Sequence, residues 1–368
     1  MGSFPNNTPK LYGITNSNRS SESFWGKNEF NSSFPVSLCC YMRDNKINAT
    51  YLKLDENLNV VTEECPFDQL FNTVNVPSEN IYFSFESKYQ PYEDLLYDDI
   101  DNIDLIIKDV SGKFYRPLEI KLTVIPDNST SPQQDESLWG TEIVFRPNTL
   151  QYCIYSVIKS NYDMLDRIRT HFDSSCSNIQ SWANRVEMIT RFNSIIDALD
   201  SFEQMFYENQ KPLILQPIWK TKGKSPFLSD QAFDVFVWSD LAFTRLFLDN
   251  SRLSGNYNAT TTNLQRSMRA SLRFARCLYE LSKSRKINIT NIYNEMTFNL
   301  QNDKEFAVNG MKTNLYLRCE RLTNPKLSKN VLKKIILNGG EKLLSPERRF
   351  DQTIFWTFSS LEEKINDG

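Results

Sequence analysis

Two strand-forming runs on either side of a short turn constrain the fold of this chain more than any other feature. Residues 103–108 are rich in apolar and β-branched side chains, and residues 118–125 alternate strictly between apolar and polar ones. The segment between them includes DVSG at 109–112, which has the composition of a turn. The sequence therefore predicts a β-hairpin in the first third of the chain.

The predicted hairpin carries two carboxylates and a lysine. Asp104 lies on its first strand, and Glu119 and Lys121 share one face of its second strand. Mg²⁺ prefers oxygen ligands and keeps some of its waters, so two carboxylates and one main-chain carbonyl suffice to bind it. We therefore expect Asp104, Glu119 and the carbonyl of Ile120 to bind Mg²⁺. Lys121 would then hold the water that attacks a phosphodiester.

Other acidic residues near the hairpin are alternatives. Asp101 precedes the strand and Asp109 belongs to the turn, so Asp104 is the preferred ligand, although both rivals stay open. Glu86 is a candidate additional acid if it lies on a helix that precedes the hairpin; residues 81–85 fit either a strand or the start of that helix. Residues 86–104 form an acidic segment, and its members before Asp101 equally fit a solvated surface.

Composition excludes several classes of protein. The chain has 368 residues, 40% of them hydrophobic, and a net charge of −3, so it is globular, and any phosphate binding must be local. It has no long apolar run and no signal peptide at its start, which predicts a cytoplasmic protein with reduced cysteines. His171 is the only histidine, so sites built on several histidines are excluded. We expect His171 to be an ordinary helix residue.

Hydrophobic patterns elsewhere predict a mixed α+β fold with a central mixed sheet flanked by helices. Strands are expected at 36–42, 50–54, 58–62, 142–145, 213–219, 233–238 and 306–318. Helices are expected at 150–158, 182–206, 239–248, 262–286 and 329–337, and a helical turn at 67–71. An aromatic cluster follows at Phe350, Phe355, Trp356 and Phe358.

The spacing of Asp104, Glu119 and Lys121 resembles the PD-(D/E)xK nuclease pattern, whose core is a helix, three strands, a helix and a further strand. Ile103 stands where that pattern has proline, so the first half of the motif is degenerate. Beyond this core, the segments LEIKLTVIPD, TEIVFRPNTLQY and QPIWKTKGKSPFLSDQAFDVFVWSDLAF resemble the HindVP-type family of type II restriction endonucleases. The similarity spans most of the chain between about Phe34 and Phe306.

This resemblance implies a bacterial homodimer that cuts both strands of a short palindromic DNA duplex with Mg²⁺. It also implies the family's GRCGYC-type site and a cognate DNA methyltransferase in the host, with no direct contact expected. Two other functions remain open. One is a DNA repair or structure-selective nuclease on the same core, and the other is a DNA-binding protein without catalysis.

Basic residues in two parts of the chain are candidates for contact with DNA. Arg146, Lys220, Lys222 and Lys224 lie within the segments that resemble the family, the last three in a short basic loop. Arg266, Arg269, Arg273 and Arg276 are spaced so that they share one helix face, which suits either DNA or solvent.

These elements suggest three regions. We expect an N-terminal arm at 1–33 and a nuclease core at 34–260 with N-terminal strands and a helical insertion. A C-terminal region at 261–368 would pack on the core and serve DNA binding or dimerisation.

Overall fold

The computed structural model describes residues 27–77, 80–124, 143–145, 147–222, 225–228, 234–253, 264, 266–297, 306–308, 326–328 and 331. Its strands are β1 (Ala49–Leu54), β2 (Val60–Cys65), β3 (Ile81–Ser87), β4 (Ile103–Asp109), β5 (Phe114–Leu118), β6 (Ile120–Val124), β7 (Ile143–Phe145), β8 (Pro212–Lys222), β9 (Ser225–Leu228), β10 (Phe236–Ser239) and β11 (Phe306–Val308).

The helices follow the same chain order. They are α1 (Lys27–Asp44), α2 (Phe67–Phe71), α3 (Pro147–Ser160), α4 (Leu165–Ser175), α5 (Arg185–Thr190), α6 (Phe192–Phe206), α7 (Asp240–Leu253), α8 (Arg266–Ser284) and α9 (Ile289–Glu295). Short 3₁₀ turns occupy Gln90–Leu95, Tyr162–Met164 and Tyr207–Asn209. The predicted mixed α+β class is confirmed.

A six-stranded mixed sheet organises the molecule, in the order β2-β1-β10-β8-β6, with β9 also paired to β8. β1 is parallel to β10 and β6 is parallel to β8, whereas β10 and β8 are antiparallel. The strands predicted at 50–54 and 58–62 are confirmed as β1 and β2, an antiparallel pair. They form one edge of this main sheet, where the sequence suggested only a small antiparallel sheet.

Two smaller sheets accompany it. β3, β4 and β5 form an antiparallel sheet. The first strand of the predicted hairpin is confirmed as β4, but its partner β5 shares only Leu118 with the strand predicted at 118–125. The strand predicted at 142–145 is β7, which pairs with β11 in the part of the chain that the structure describes.

The main sheet separates two hydrophobic cores, and this explains its most buried strand. On β10, Phe236 and Trp238 pack into the core formed with α3, α4, α6, α7 and α8. Val237 packs into the core formed with α1, α2 and the small sheet. Every residue of β10 is buried because apolar layers cover both faces of the sheet.

The strand predicted at 36–42 is wrong, because these residues lie within α1. A short apolar run does not distinguish a buried strand from a buried helix, and Val36, Cys39 and Cys40 also fit the spacing of a helix face. All three are buried in the second core. The helix begins at Lys27, inside the region predicted as an N-terminal arm.

The single long helix predicted at 182–206 is also wrong. The chain forms α5 and α6 with a break at Arg191, and the side chain of Asn184 caps α5 by accepting hydrogen bonds from two backbone N–H groups. One continuous amphipathic helix would place Val186 on its apolar side with Ile189, but Val186 is 55% exposed.

Several expectations for the ends of the chain lie outside the described residues. They are most of the sheet predicted at 306–318, nearly all of the helix predicted at 329–337 and the aromatic cluster. In the described parts of the chain, no helix combines the length and apolar composition that crossing a membrane requires. The six described cysteines are buried thiols, as expected.

Candidate active site

The candidate site lies where the chain passes from the small sheet to the main sheet. β5 ends at Leu118 and β6 begins at Ile120, so Glu119 occupies the crossing. The continuous strand predicted over 118–125 is therefore wrong, because its first residue pairs with β4 and the next strand pairs with β8. The strict alternation of residue types gave no sign of this change of partner.

Strand register brings Asp104 to this crossing. Leu105 pairs with Leu118 across β4 and β5, which places Asp104 level with Glu119. The backbone N–H of Ile120 donates a hydrogen bond of 2.7 Å to Oδ2 of Asp104. The carboxylate of Asp104 is thus fixed against the peptide that follows Glu119.

Glu119 and Lys121 form an ion pair in the same place. Nζ of Lys121 lies 2.6 Å from Oε1 of Glu119, which is buried, while Lys121 is partly exposed. The hydroxyl of Thr149, in the first turn of α3, lies 3.4 Å from the same carboxylate oxygen. The structure therefore brings together the three residues that the sequence pattern singled out.

α3 supplies a second contact that the sequence did not reveal. The hydroxyl of Tyr152 lies 3.0 Å from the carbonyl oxygen of Pro117 and 3.2 Å from that of Pro212. These carbonyls belong to the end of β5 and the start of β8. The only sequence signal for Thr149 and Tyr152 was their spacing of three residues, which places two hydroxyls on one side of a largely apolar helix.

The rival carboxylates are placed elsewhere. Asp109 accepts hydrogen bonds from Ser111 and Lys113 in the β4–β5 turn and from the hydroxyl of Tyr115. These bonds, that of the Ser111 hydroxyl above all, lower the pKa of Asp109 to about 2. Asp101 is exposed and precedes β4. Asp109 is therefore a turn residue, and Asp104 remains the acid whose carboxylate contacts the main chain at the crossing.

Glu86 lies on strand β3 and not on a helix. Phe85 pairs with Leu105 and Ser87 pairs with Ile103, so the backbone of Glu86 is level with that of Asp104. Another member of the acidic segment has a structural contact, because the carboxylate of Asp98 accepts hydrogen bonds from the N–H groups of Ile289 and Thr290 at the start of α9.

The donor atoms at the crossing suit a hard divalent cation. Asp104 and Glu119 offer carboxylate oxygens and Ile120 a carbonyl, which are the ligand types that Mg²⁺ accepts while it keeps several waters. Among the described residues, no cluster contains three or more potential metal-binding side chains. In the structure, the ammonium of Lys121 neutralises Glu119 where a cation would otherwise do so.

Comparison with known proteins identifies the family. The family model of the HindVP restriction endonuclease matches residues 25–360. The chain is 35% identical over 360 residues to the type II restriction enzyme HgiDI of Herpetosiphon aurantiacus, covering 97% of this chain and 98% of the relative. It is 34% identical over 361 residues to the probable type II restriction enzyme HindVP of Haemophilus influenzae, covering 96% and 95%.

The chain belongs to the HindVP restriction endonuclease family. The resemblance seen in the sequence is confirmed, and the match extends beyond the limits expected for it. No solved structure matches this chain.

The residues predicted to contact DNA in this HindVP family member are found partly on strand β8 and partly outside the described residues. Arg146 and Lys224 lie outside the described residues. Lys220 and Lys222 lie on strand β8, which pairs with β9, so the predicted basic loop is largely a β-hairpin. A role in DNA contact stays a prediction for these residues.

The arginine row of α8 is not the open surface that the spacing suggested. Arg269, Arg273 and Arg276 are only 4–6% exposed, whereas both sequence interpretations required an accessible face. Arg269 donates to the carbonyl of Leu264, Arg273 donates to the carbonyl of Met296, and Arg276 pairs with Glu295.

A buried guanidinium requires hydrogen-bond acceptors, and these contacts supply them. They tie α8 to the segment before it and to the end of α9. The fourth member, Arg266, begins α8. The spacing was compatible with a DNA-facing or solvated row, but the packing of α8 against other helices decides which face is covered.

Proposed function

We propose that this protein is a type II restriction endonuclease that hydrolyses phosphodiester bonds of double-stranded DNA at a specific site with Mg²⁺. The observation that carries the proposal is the position of Asp104, Glu119 and Lys121 at the sheet crossing. Lys121 lies 2.6 Å from Glu119, and Asp104 accepts a 2.7 Å hydrogen bond from the backbone N–H of Ile120 between them. Membership of a restriction endonuclease family gives this cluster its chemical context. Among the described residues, no group of three or more His, Cys, Asp or Glu side chains that could hold a metal occurs, either at the crossing or elsewhere.

Asp104, Glu119 and the carbonyl of Ile120 would hold the cation. When bound there, Mg²⁺ would withdraw charge from the scissile phosphate and favour attack by water. Lys121 would release Glu119 and offer its ammonium group to the attacking water and the phosphate. A lysine suits this exchange because its single charge is carried on a flexible chain and is not locked in a fork.

The hydrogen bond from Ile120 keeps Asp104 in place during this exchange. A backbone N–H is fixed by the strand that contains it, so the carboxylate that accepts from it has a defined orientation before any cation arrives. Glu86, on the neighbouring strand, is proposed as an additional acid of the same site.

We further propose that the enzyme acts as a homodimer on a short palindrome, with GRCGYC as the site to test first. Two copies related by a two-fold axis present the same surface to both half-sites, which matches the symmetry of a palindrome. A host with such an enzyme would also contain a methyltransferase that protects its own DNA. Lys220, Lys222, Lys224 and Arg146 are the proposed contacts to DNA.

Digestion of plasmid and bacteriophage DNA tests the proposal directly. The purified protein with Mg²⁺ should yield discrete fragments, and sequencing of their ends should show one palindromic sequence. EDTA should stop the reaction, and Asp104→Asn should abolish it while DNA binding remains.

Other outcomes of this digestion would contradict the proposal. Nicking or smearing would indicate a repair or structure-selective nuclease, and binding without any cleavage would indicate a non-catalytic protein. The circular dichroism spectrum of Asp104→Asn provides the control for folding, since a loss of activity is informative only if the variant keeps its structure.

A further inference from the structure

Helix α3 presents three buried hydroxyls in a stripe toward the sheets. Thr149, Tyr152 and Ser156 are spaced at three and four residues, so they lie on one side of the helix, and all three are at most 3% exposed. The remaining buried residues of α3 are mostly apolar, including Leu150, Cys153, Ile154, Val157 and Ile158. Buried hydroxyls are costly unless they form hydrogen bonds, so this stripe requires partners.

Each hydroxyl of the stripe meets the polypeptide around the sheet crossing or the start of α7. Thr149 lies next to the carboxylate of Glu119, and Tyr152 reaches the carbonyls of Pro117 and Pro212. Ser156 donates a 2.7 Å hydrogen bond to Oδ2 of Asp240, the first residue of α7. The stripe therefore links α3 to the end of β5, to Glu119 itself, to the start of β8 and to the helix that follows β10.

Tyr152 supplies a hydrogen-bond donor to a main-chain carbonyl beside the crossing. The carbonyl of Pro117 lies two residues before Glu119, where the chain is about to leave the small sheet. A buried carbonyl needs a donor, and the hydroxyl of Tyr152, shared between two carbonyls, supplies it. One side chain thus ties the end of β5 to the start of β8.

We propose that Tyr152 and Thr149 are positioning residues for Glu119. Tyr152 fixes the main chain at the crossing, and Thr149 restricts the direction of the carboxylate. The inference rests on the proposed function, in which Glu119 is a ligand of the cation. Groups that orient a metal ligand without touching the metal commonly change metal affinity or activity by about 10- to 100-fold when they are removed.

Paired variants on the same helix test the inference. Tyr152→Phe removes the hydroxyl that reaches the crossing, and Tyr155→Phe removes an equally buried hydroxyl that donates to Gln151 on α3 itself. Binding of Mn²⁺, as a probe for Mg²⁺, is measured on the full chain by isothermal titration calorimetry without DNA. We expect Tyr152→Phe to weaken Mn²⁺ binding by about tenfold or more and Tyr155→Phe to change it by less than about twofold.

Thr149 supplies a second pair of variants if Tyr152→Phe does not fold. Thr149→Val should weaken Mn²⁺ binding, and Thr149→Ser, which keeps the hydroxyl, should restore it. A merely structural role would lower the thermal midpoint in both valine and serine variants without this rescue. Unchanged Mn²⁺ affinity in folded Tyr152→Phe and Thr149→Val would overturn the inference.

Glu119→Gln, measured in the same series, separates the two proposals. If Glu119→Gln loses Mn²⁺ binding and cleavage while the α3 variants keep both, the proposed function stands and the positioning role fails. If Glu119→Gln itself keeps Mn²⁺ binding and cleavage, the assignment of the site is wrong and the positioning role falls with it.

Discussion

Two buried glutamates in this molecule have similar immediate contacts, but the cations that pair with them differ. Glu119 lies beside the hydroxyl of Thr149 and the ammonium of Lys121. Glu203, on α6, accepts a 2.7 Å hydrogen bond from the hydroxyl of Thr244 and lies 3.4 Å from the guanidinium of Arg245. Burial, a threonine and a cation are therefore common to both and do not by themselves distinguish a catalytic site.

The cation and its other partners make the difference. Arg245 also pairs with Asp200 at 2.8 Å and with Asp249 at 2.7 Å, so its planar fork is held by carboxylates on α6 and α7. Lys121 has a single flexible charge at a point where the chain changes sheets, and Asp104 stands level with its partner. In the proposed function Lys121 would leave Glu119 when a cation binds, whereas Arg245, held by three carboxylates, joins α6 to α7.

Exchanging each glutamate for its neutral isostere should give the largest contrast. Glu119→Gln should lower the rate of DNA cleavage by roughly a thousandfold or more, because it removes a charged ligand of the proposed cation. Glu203→Gln should leave cleavage within about twofold, because its neighbours are not near the crossing. Single-turnover cleavage of a plasmid measures both, and a similar loss in both variants would mean that the two glutamates do not differ in role.

Exchanging the two cations should separate activity from stability. Lys121→Met should slow cleavage by about a hundredfold while DNA binding persists, since it removes a group that assists proton transfer and charge stabilisation. Arg245→Met should instead lower the free energy of unfolding by about 3 kcal/mol, because it leaves partly buried carboxylates without a partner.

Urea unfolding and cleavage assays on both proteins provide the measurements for this second contrast. A stability loss as large in Lys121→Met as in Arg245→Met would show that Lys121 serves mainly to neutralise a buried acid. The cleavage rate of Arg245→Met is compared per folded molecule, so that a fraction of unfolded protein is not counted as lost activity.

The candidate site was accessible from sequence because it depends on short-range pattern. The run at 103–108 and the turn after it predicted β4 and the reversal of the chain, and the register of β4 with β5 places Asp104 level with Glu119. β5 itself, at residues 114–118, was not predicted. The break at Glu119 was not accessible, because residues 118–125 alternate as if they formed one strand. Which sheet a strand joins depends on distant partners, here β8 about a hundred residues away along the chain.

The prediction that the arginines of α8 form an accessible face was wrong for a different reason. A spacing of three and four residues shows that side chains share a helix face, but it does not show what that face contacts. Arg276 contacts the carboxylate of Glu295 at the end of α9, and Arg273 contacts the carbonyl of Met296, the residue that follows it. Their burial depends on tertiary packing that leaves no mark on the local pattern.

The smallest expected effect is on the pH dependence of the unfolding free energy. It is tested by replacing a buried acid with its neutral isostere. Burial raises the pKa of Glu203 from 4.5 to about 8, against the opposing effect of Arg245, and burial raises the pKa of Asp240 from 3.8 to about 6. An acid with a raised pKa keeps its proton in the native state after the unfolded chain has lost it. The stability that Glu203 contributes is thus complete below about pH 4.5 and is lost as the pH rises through 8.

Between pH 6 and 8 the unfolding free energy of the wild-type protein should therefore fall because of Glu203, by about 2 kcal/mol. Glu203→Gln should flatten this interval, while Asp240→Asn should change the interval from about pH 4 to 6, where Asp240 titrates. Urea unfolding at a series of pH values measures both slopes. A wild-type slope between pH 6 and 8 that persists in Glu203→Gln would mean that Arg245 keeps Glu203 ionised, and the two buried glutamates would then be more alike than their surroundings suggest.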